Sequence, residues 1–304
     1  MEATAEQVAT ALAEIFDPVS VSNVSLVGRG YEAEIFGFEL AGEKLVLRLF
    51  HHAADDERAA KEFTVQARLH RLGYPVPQVH LTLSSGESEL RRPLVVMKWV
   101  DGTSLGADFW GGTFERKQAA EDQLYRLMAD LHLLRVDDVF GPACDVSLRE
   151  EVAAMKRLAS TSHGLRPVFD WLLEQASHLP EEPACVVHGD FHANNVLRAS
   201  DSSVVIDWSN CRPGDYRWDV AWIRLLVRAD EQEDGGSRAL ATYERYSGRR
   251  PVRLDFFEVL GATKILLEAE SDSRAKPAAD FVAYLISLIE KRTSISVARD
   301  PIGR

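Results

Sequence analysis

Asp190, Asn195 and Asp207 are the residues whose types and spacing most directly suggest chemistry. They stand in His188-Gly189-Asp190-Phe191-His192-Ala193-Asn194-Asn195-Val196-Leu197 and, shortly after, Val204-Val205-Ile206-Asp207. The segment reads as a strand over 185–187, a polar loop, a short strand at 196–197, a turn over 199–203 and a strand over 204–206. A hairpin of that shape gathers the start of the loop, its end, and the end of the next strand. One carboxylate, one carboxamide and a second carboxylate converging on a point suit phosphoryl transfer from Mg-ATP. Asp190 can accept the proton of an attacking hydroxyl, while Asn195 and Asp207 offer hard oxygen ligands to magnesium. A lone His-x-Asp is ordinarily a turn device and Asn-Asn a common turn pair, so the weight lies on the three positions together.

Such residues need elements to hold them. Residues 21–100 read as an antiparallel sheet interrupted by one helix, with strands at 24–27, 34–40 and 44–50 and a turn at Ala41-Gly42-Glu43. Gly28-Arg29-Gly30-Tyr31-Glu32 lies between the first two strands. The third strand carries a cation, Arg48, in the middle of an apolar run. A helix over 55–72 puts Glu62, Val65, Leu69 and Leu72 on one face, so Glu62 points inward and Arg48 is its available partner. Gly73 and Pro75 end that helix. The run 94–100 is a strand leading into the connector Asp101-Gly102, which sets a domain boundary: 1–101, then 102–304. Beyond it the pattern turns helical, at 114–134, 150–159, 167–179 and 254–271. No internal repeat or low-complexity tract interrupts it.

His-Gly-Asp-x-x-x-x-Asn at 188–195, followed by Ile206-Asp207-Trp208, resembles the aminoglycoside phosphotransferase and choline kinase group, distant relatives of protein kinases. The resemblance implies an α+β, two-lobed protein-kinase-like fold. It implies an N-terminal antiparallel sheet with one main helix and a mostly helical C-terminal lobe that carries the catalytic hairpin. It implies an ATP-dependent phosphotransferase with Asp190 as catalytic base and Asn195 and Asp207 as magnesium ligands, GTP being the alternative donor. Gly28 and Gly30 would cover the nucleotide phosphates, although Ala33 stands where a protein kinase has its third glycine. Arg48, positioned by Glu62, would hold the phosphates in the place of a protein-kinase lysine. The Lys98 carbonyl and the Val100 N–H would bond the adenine, with Met97 lining the pocket behind. Pro213-Gly214-Asp215-Tyr216-Arg217-Trp218-Asp219 resembles a stretch in which Asp219 braces the catalytic loop; an Asp at a helix start can also cap backbone N–H groups. His188 would support the loop.

Composition sets looser bounds. The chain has 304 residues, enough for two modest domains, and 46% hydrophobic content allows real cores. A net charge of −12, from 47 acidic and 35 basic residues, argues against nucleic acid or an anionic membrane as partner. It fits a cationic small-molecule hydroxyl acceptor, and equally a soluble surface. Glu231, Glu233, Asp234, Glu258, Glu268, Glu270 and Asp272 could line a polyamine cleft. Trp208, Tyr216, Trp218 and Trp222 could instead cage a quaternary ammonium. Choline, ethanolamine, homoserine or a sugar are therefore alternative acceptors, and a nucleotide-binding regulatory module without turnover is the alternative outside enzymes. Cys144, Cys185 and Cys211 lack metal-site spacing and read as thiols of a reducing compartment. The first sixteen residues read as a surface helix and no apolar run reaches membrane-spanning length, so a soluble cytoplasmic protein is expected.

Overall fold

The computed structural model describes residues 2–142, 147–159, 164–199, 202–232, 234, 236–271 and 277–297. Cys144, Glu233 and Asp272 fall outside the described residues. The chain opens with α1 (Ala5–Ile15), β1 (Val21–Arg29), β2 (Ala33–Leu40), β3 (Glu43–Phe50), α2 (Asp56–Arg71), β4 (Val79–Leu83), β5 (Leu94–Lys98) and β6 (Thr103–Ser104). Helices α3 (Gly106–Gly111), α4 (Phe114–His132), α5 (Val136–Phe140), α6 (Leu148–Leu158) and α7 (Arg166–Ala176) follow. Four short strands, β7 (Cys185–Val187), β8 (Val196–Arg198), β9 (Ser203–Val205) and β10 (Arg212–Gly214), carry the polar segment. Helices α8 (Arg217–Leu226), α9 (Ser237–Ser247), α10 (Leu254–Ser271) and α11 (Ala279–Thr293) complete the series. The residues group into two compact units: 1–107 with 193–211, and 108–192 with 212–304.

In the first unit an antiparallel sheet has the order β1-β2-β3-β5-β4. The two-residue period of β3 decides what lies on each face. Leu45, Leu47 and Leu49, with Phe36, Phe38, Leu94 and Val96, bury one face against Val8 and Leu12 of α1. That helix is started by a capping box in which Thr4 and Gln7 satisfy each other's backbone N–H. Phe50 and Val95 face the other way and pack with Ala59 of α2. Arg48 shares their side of the pleat.

A second, three-stranded sheet of this unit has the order β6-β8-β9. Gly102 enters it where a Cβ would come within 2.9 Å of the Arg198 carbonyl oxygen, so only glycine allows the approach. The Ile206 N–H donates to the Asn195 carbonyl at 2.9 Å and the Val205 N–H to the Pro75 carbonyl at 2.8 Å. The β8–β9 hairpin therefore returns the chain beside Asn195 just before Asp207.

In the second unit β7 pairs with β10, Val187 opposite Arg212 and Cys185 opposite Gly214. Pro213, which has no N–H to give, sits in this edge pair opposite Val186. Helix α10 is buried almost all round, from Phe256 to Thr263 without a break, and packs on α7, α8 and α11. Among the described residues no helix is long and apolar enough to cross a membrane.

Candidate active site

Arg48 is the centre of a charged cluster in the first unit. Its guanidinium lies 5.3 Å from the Phe50 ring centroid and is nearly buried. Nε faces Glu62 Oε2 at 3.4 Å, Nη2 donates to Glu32 Oε2 at 3.1 Å, and Nη1 faces Asp207 Oδ1 at 3.0 Å. The expected Arg48–Glu62 pair is present, and two further carboxylates join it. Burial pushes the guanidinium's pKa down, but Glu62, Asp207 and Glu32 outweigh burial and raise it above its ordinary value. The Glu62 carboxyl is also raised: burial raises it, Arg48 lowers it, and Asp207 and Glu32 add to the rise, to about 7. Asp207 holds a left-handed backbone, φ +67, which Asp tolerates better than most residues.

The other nucleotide-site candidates of this unit lie around that cluster's elements. Gly28 and Gly30 belong to a tight β1–β2 turn in which the Gly30 N–H donates to the Ala33 carbonyl at 2.8 Å. Strand β1 runs on to Arg29, so the turn is shorter than the loop expected from the sequence. The His51 N–H donates to the Glu32 carbonyl at 2.9 Å, and His51 Nε2 lies 3.1 Å from the Gly30 carbonyl. A Cβ at Gly28 would meet nothing within 4 Å. Met97, half-buried, packs on the Phe50–Ala59–Val95 cluster, with Gln66 Nε2 3.7 Å from its sulfur. Lys98 is exposed and donates its N–H to the Gln78 carbonyl, while Val100 is half-buried.

The second unit holds His188, Asp190 and Asp219 in one network. Asp219 is fully buried on α8, and its carboxylate accepts the N–H of His188 at 2.8 Å and of Gly189 at 2.9 Å. His132 Nε2 lies 3.2 Å from the same carboxylate, and His132 Nδ1 is 2.9 Å from the Tyr243 hydroxyl. Burial raises the Asp219 carboxyl's pKa, but His132, His188 and the backbone N–H outweigh it and hold the group below its ordinary value. Asp219 does not cap its own helix: Tyr216 is at the cap position, and the carboxylate is spent on the loop. His188 is buried, and its Nδ1 accepts the Asp190 N–H at 3.3 Å.

Asp190 itself is gripped by an aromatic stack. Trp222 Nε1 donates to Asp190 Oδ1 at 2.7 Å, and His192 Nε2 lies 3.4 Å from the same oxygen. Trp222 stacks on Trp218 at 6.0 Å, and Trp218 Nε1 donates to the Gly189 carbonyl at 3.2 Å. Burial raises the Asp190 carboxyl's pKa, yet His192, His188 and the Trp222 N–H together hold it below the ordinary carboxylate value. At neutral pH this is a carboxylate.

Sequence reasoning missed Glu32, Arg58, His192 and Trp222 as partners. A signal for Trp222 was available, since 218, 219 and 222 share one helical face. Residues named for the two acceptor readings have partners within the chain. Glu258 is buried between Arg224 and Arg292, Glu268 holds Lys264 at 2.5 Å, Glu231 pairs with Arg228, and Asp234 accepts the Gly236 N–H. These carboxylates serve the chain's own cations and backbone. The aromatics are core, 0 to 8% exposed, and stack in different places: Trp208 edge-on to Tyr74, Tyr216 on Tyr243, Trp218 on Trp222.

Residues 23–257 match the model of the phosphotransferase enzyme family. Among solved structures, aminoglycoside phosphotransferase APH(4)-Ia superposes with a TM-score of 0.69 at 21% identity, over 97% of this chain and 100% of that one. A thermostable mutant of that enzyme, in ternary complex with ADP and hygromycin B, gives 0.69 at 20% identity over 94% and 99%. The GDP complex of aminoglycoside 2'-phosphotransferase-IIIa gives 0.66 at 17% identity over 96% and 99%. These likenesses establish the expected protein-kinase-like fold. Acyl-CoA dehydrogenase family member 11 of Rattus norvegicus is 28% identical over 179 residues, 55% of this chain. That match spans only 23% of the rat protein's length.

Proposed function

The chain belongs to the phosphotransferase enzyme family, and from that premise we propose that it moves the γ-phosphoryl group of Mg-ATP to a hydroxyl of a small molecule. The observation that carries the reading is Asp190: a carboxylate held ionised, with Oδ1 fixed by the Trp222 indole. In this mechanism the acceptor oxygen attacks the γ-phosphorus, the bond to the bridging oxygen of ADP breaks, and Asp190 takes the hydroxyl's proton. Asp219, through the N–H groups of His188 and Gly189, keeps the loop from moving as that proton arrives. Arg48 holds the phosphates and Glu62 orients Arg48, with the β1–β2 turn of Gly28 and Gly30 above them. The Lys98 carbonyl and Val100 N–H bond the adenine beside Met97.

Asn195 and Asp207 fit a magnesium ion. They are oxygen donors joined by one hairpin, and magnesium takes one or two protein oxygens with phosphates and waters completing its shell. When bound, magnesium offsets the charge on the phosphate oxygens. ATP is the donor of choice, and the GDP complex of one structural neighbour makes GTP the alternative to test beside it.

The test is phosphate incorporation, followed by mass spectrometry, across aminoglycosides, macrolides, choline, ethanolamine, homoserine and sugars. Asp190→Ala serves as the control. A product that gains one phosphate and disappears in the variant supports the reading and names the acceptor. Undiminished turnover by Asp190→Ala would remove Asp190 from its role. Silence throughout, without magnesium-dependent ATP binding, would overturn the proposal, whereas silence with binding intact would favour a regulatory module.

A further inference from the structure

Glu32, at the β1–β2 turn, divides its carboxylate between two arginines of different exposure. Oε2 accepts from Arg48 Nη2 at 3.1 Å, and Oε1 accepts from Arg58 Nη1 at 2.9 Å. The Arg48 side chain is 10% exposed; the Arg58 side chain, on the first turn of α2, is 43% exposed. On Arg48 every guanidinium nitrogen already faces a carboxylate: Nη2 Glu32, Nε Glu62, Nη1 Asp207. A phosphate binds a guanidinium through the same N–H fork, so on Arg48 it competes with the carboxylates already held there.

The three are not equal. The Glu62 side chain is 1% exposed, and leaving Arg48 would strand it in the protein interior. Asp207, two residues past the end of β9, is the proposed magnesium ligand and so stays with the incoming Mg-ATP. Glu32 alone has a second cation already in its grasp, at the solvent side. We propose that Glu32 is a positioning residue that fills the phosphate-binding face of Arg48 and yields it to the nucleotide polyphosphate by moving wholly on to Arg58. The Glu32–Arg58 pair thereby sets the affinity for Mg-ATP. This rests on the reading of Arg48 as the phosphate ligand. No bond is made or broken; one anion replaces another on a shared guanidinium, and the displaced charge keeps a partner.

The exchange gives the two partners opposite signs. Glu32→Gln removes the competing charge and tightens Mg-ATP by about fivefold, the scale of a partly exposed ion pair. Arg58→Ala removes the alternative partner, leaves Glu32 on Arg48, and weakens Mg-ATP by about the same factor. In the double variant Arg58 no longer matters, so Glu32→Gln/Arg58→Ala binds like Glu32→Gln. The effect falls on KM for Mg-ATP more than on kcat. It appears equally with tripolyphosphate as the probe, and adenosine binding does not move.

Titration calorimetry of the full chain with Mg-ATP, tripolyphosphate and adenosine measures the affinities and steady-state kinetics the split between KM and kcat, with melting curves showing that each variant is folded. Weaker binding in both single variants, with the double variant weaker still, is what a merely structural brace gives and would overturn the inference. A Glu32→Gln effect confined to adenosine would overturn it too. Arg48→Ala separates the two layers: if it loses tripolyphosphate while the Glu32 pattern fails, only the Glu32 inference falls. If Arg48→Ala binds tripolyphosphate undiminished, the underlying reading of Arg48 falls with it.

Discussion

The Asp190 carboxylate is held through Oδ1. Oδ1 receives the Trp222 indole N–H and lies near His192, which orients the carboxylate from one side. Trp222→Phe keeps the ring stack and deletes one hydrogen bond, so kcat should fall on the order of tenfold, as expected for a lost bond to a charged group. That bond favours the ionised form; without it the carboxyl titrates higher. The acidic limb of kcat against pH, which rises as Asp190 ionises, should therefore move to higher pH. Glu62 titrates with the opposite consequence for folding. Its folded pKa of about 7 lies above the ordinary 4.5, so the folded chain holds that proton more tightly. Its contribution to stability is full below the ordinary value and is lost as pH rises through about 7. Thermal melting of the parent against Glu62→Gln, at about pH 5 and about pH 8, should show the parent's relative stability dropping at the higher pH. A constant difference would contradict this.

Helix α8 is the element on which the loop of His188, Gly189 and Asp190 depends. It presents Trp218 to the Gly189 carbonyl, Asp219 to two backbone N–H groups and Trp222 to Asp190. Behind it α10 comes close through Gly261, where a Cβ would lie 2.7 Å from a Leu225 methyl and 3.5 Å from the Trp222 ring. Gly261→Ala should thus destabilise the fold by about 1–3 kcal/mol, the usual range for overpacking. It should also lower kcat through displacement of Trp222, with KM for ATP little changed; calorimetry and steady-state kinetics read the two effects separately. In the first unit, Leu12→Ala on α1 leaves a hole against Leu47 and Phe36. A cost of about 2–5 kcal/mol is expected, measured by denaturant unfolding.

Over the whole molecule, what could be read from the sequence is what local period controls. The alternation Leu45, Leu47, Leu49 set one face of β3 and left Arg48 on the other; the long helix was placed at Leu254–Ser271 and found there. The Arg48–Glu62 pair was legible because each residue interrupts an apolar stripe whose spacing is known. Contacts that depend on distant elements were not. The β7–β10 pair, the second cation on Glu32 and the Trp222–Asp190 bond join residues 25 to 32 positions apart through strands or helices between them. An aromatic at position 222 looks alike in sequence whether it fills a core or holds a carboxylate.

The order in which the chain visits its two units has a consequence for biosynthesis. The first unit is left after residue 107, re-entered at 193–211 and left again. A ribosome therefore releases the whole five-stranded sheet long before the hairpin that carries Asn195 and Asp207. During that interval Arg48 is without one of its three carboxylates, and β6 is without its neighbour β8. The early sheet can condense on α1 and α2 alone, because its contacts are local, but the Arg48 cluster is finished only when a far later stretch arrives. Neither unit corresponds to a single cut of the gene, so a fragment ending at residue 107 should fold its sheet yet show no magnesium-dependent ATP binding. Adding the remainder of the chain as a separate polypeptide should restore that binding.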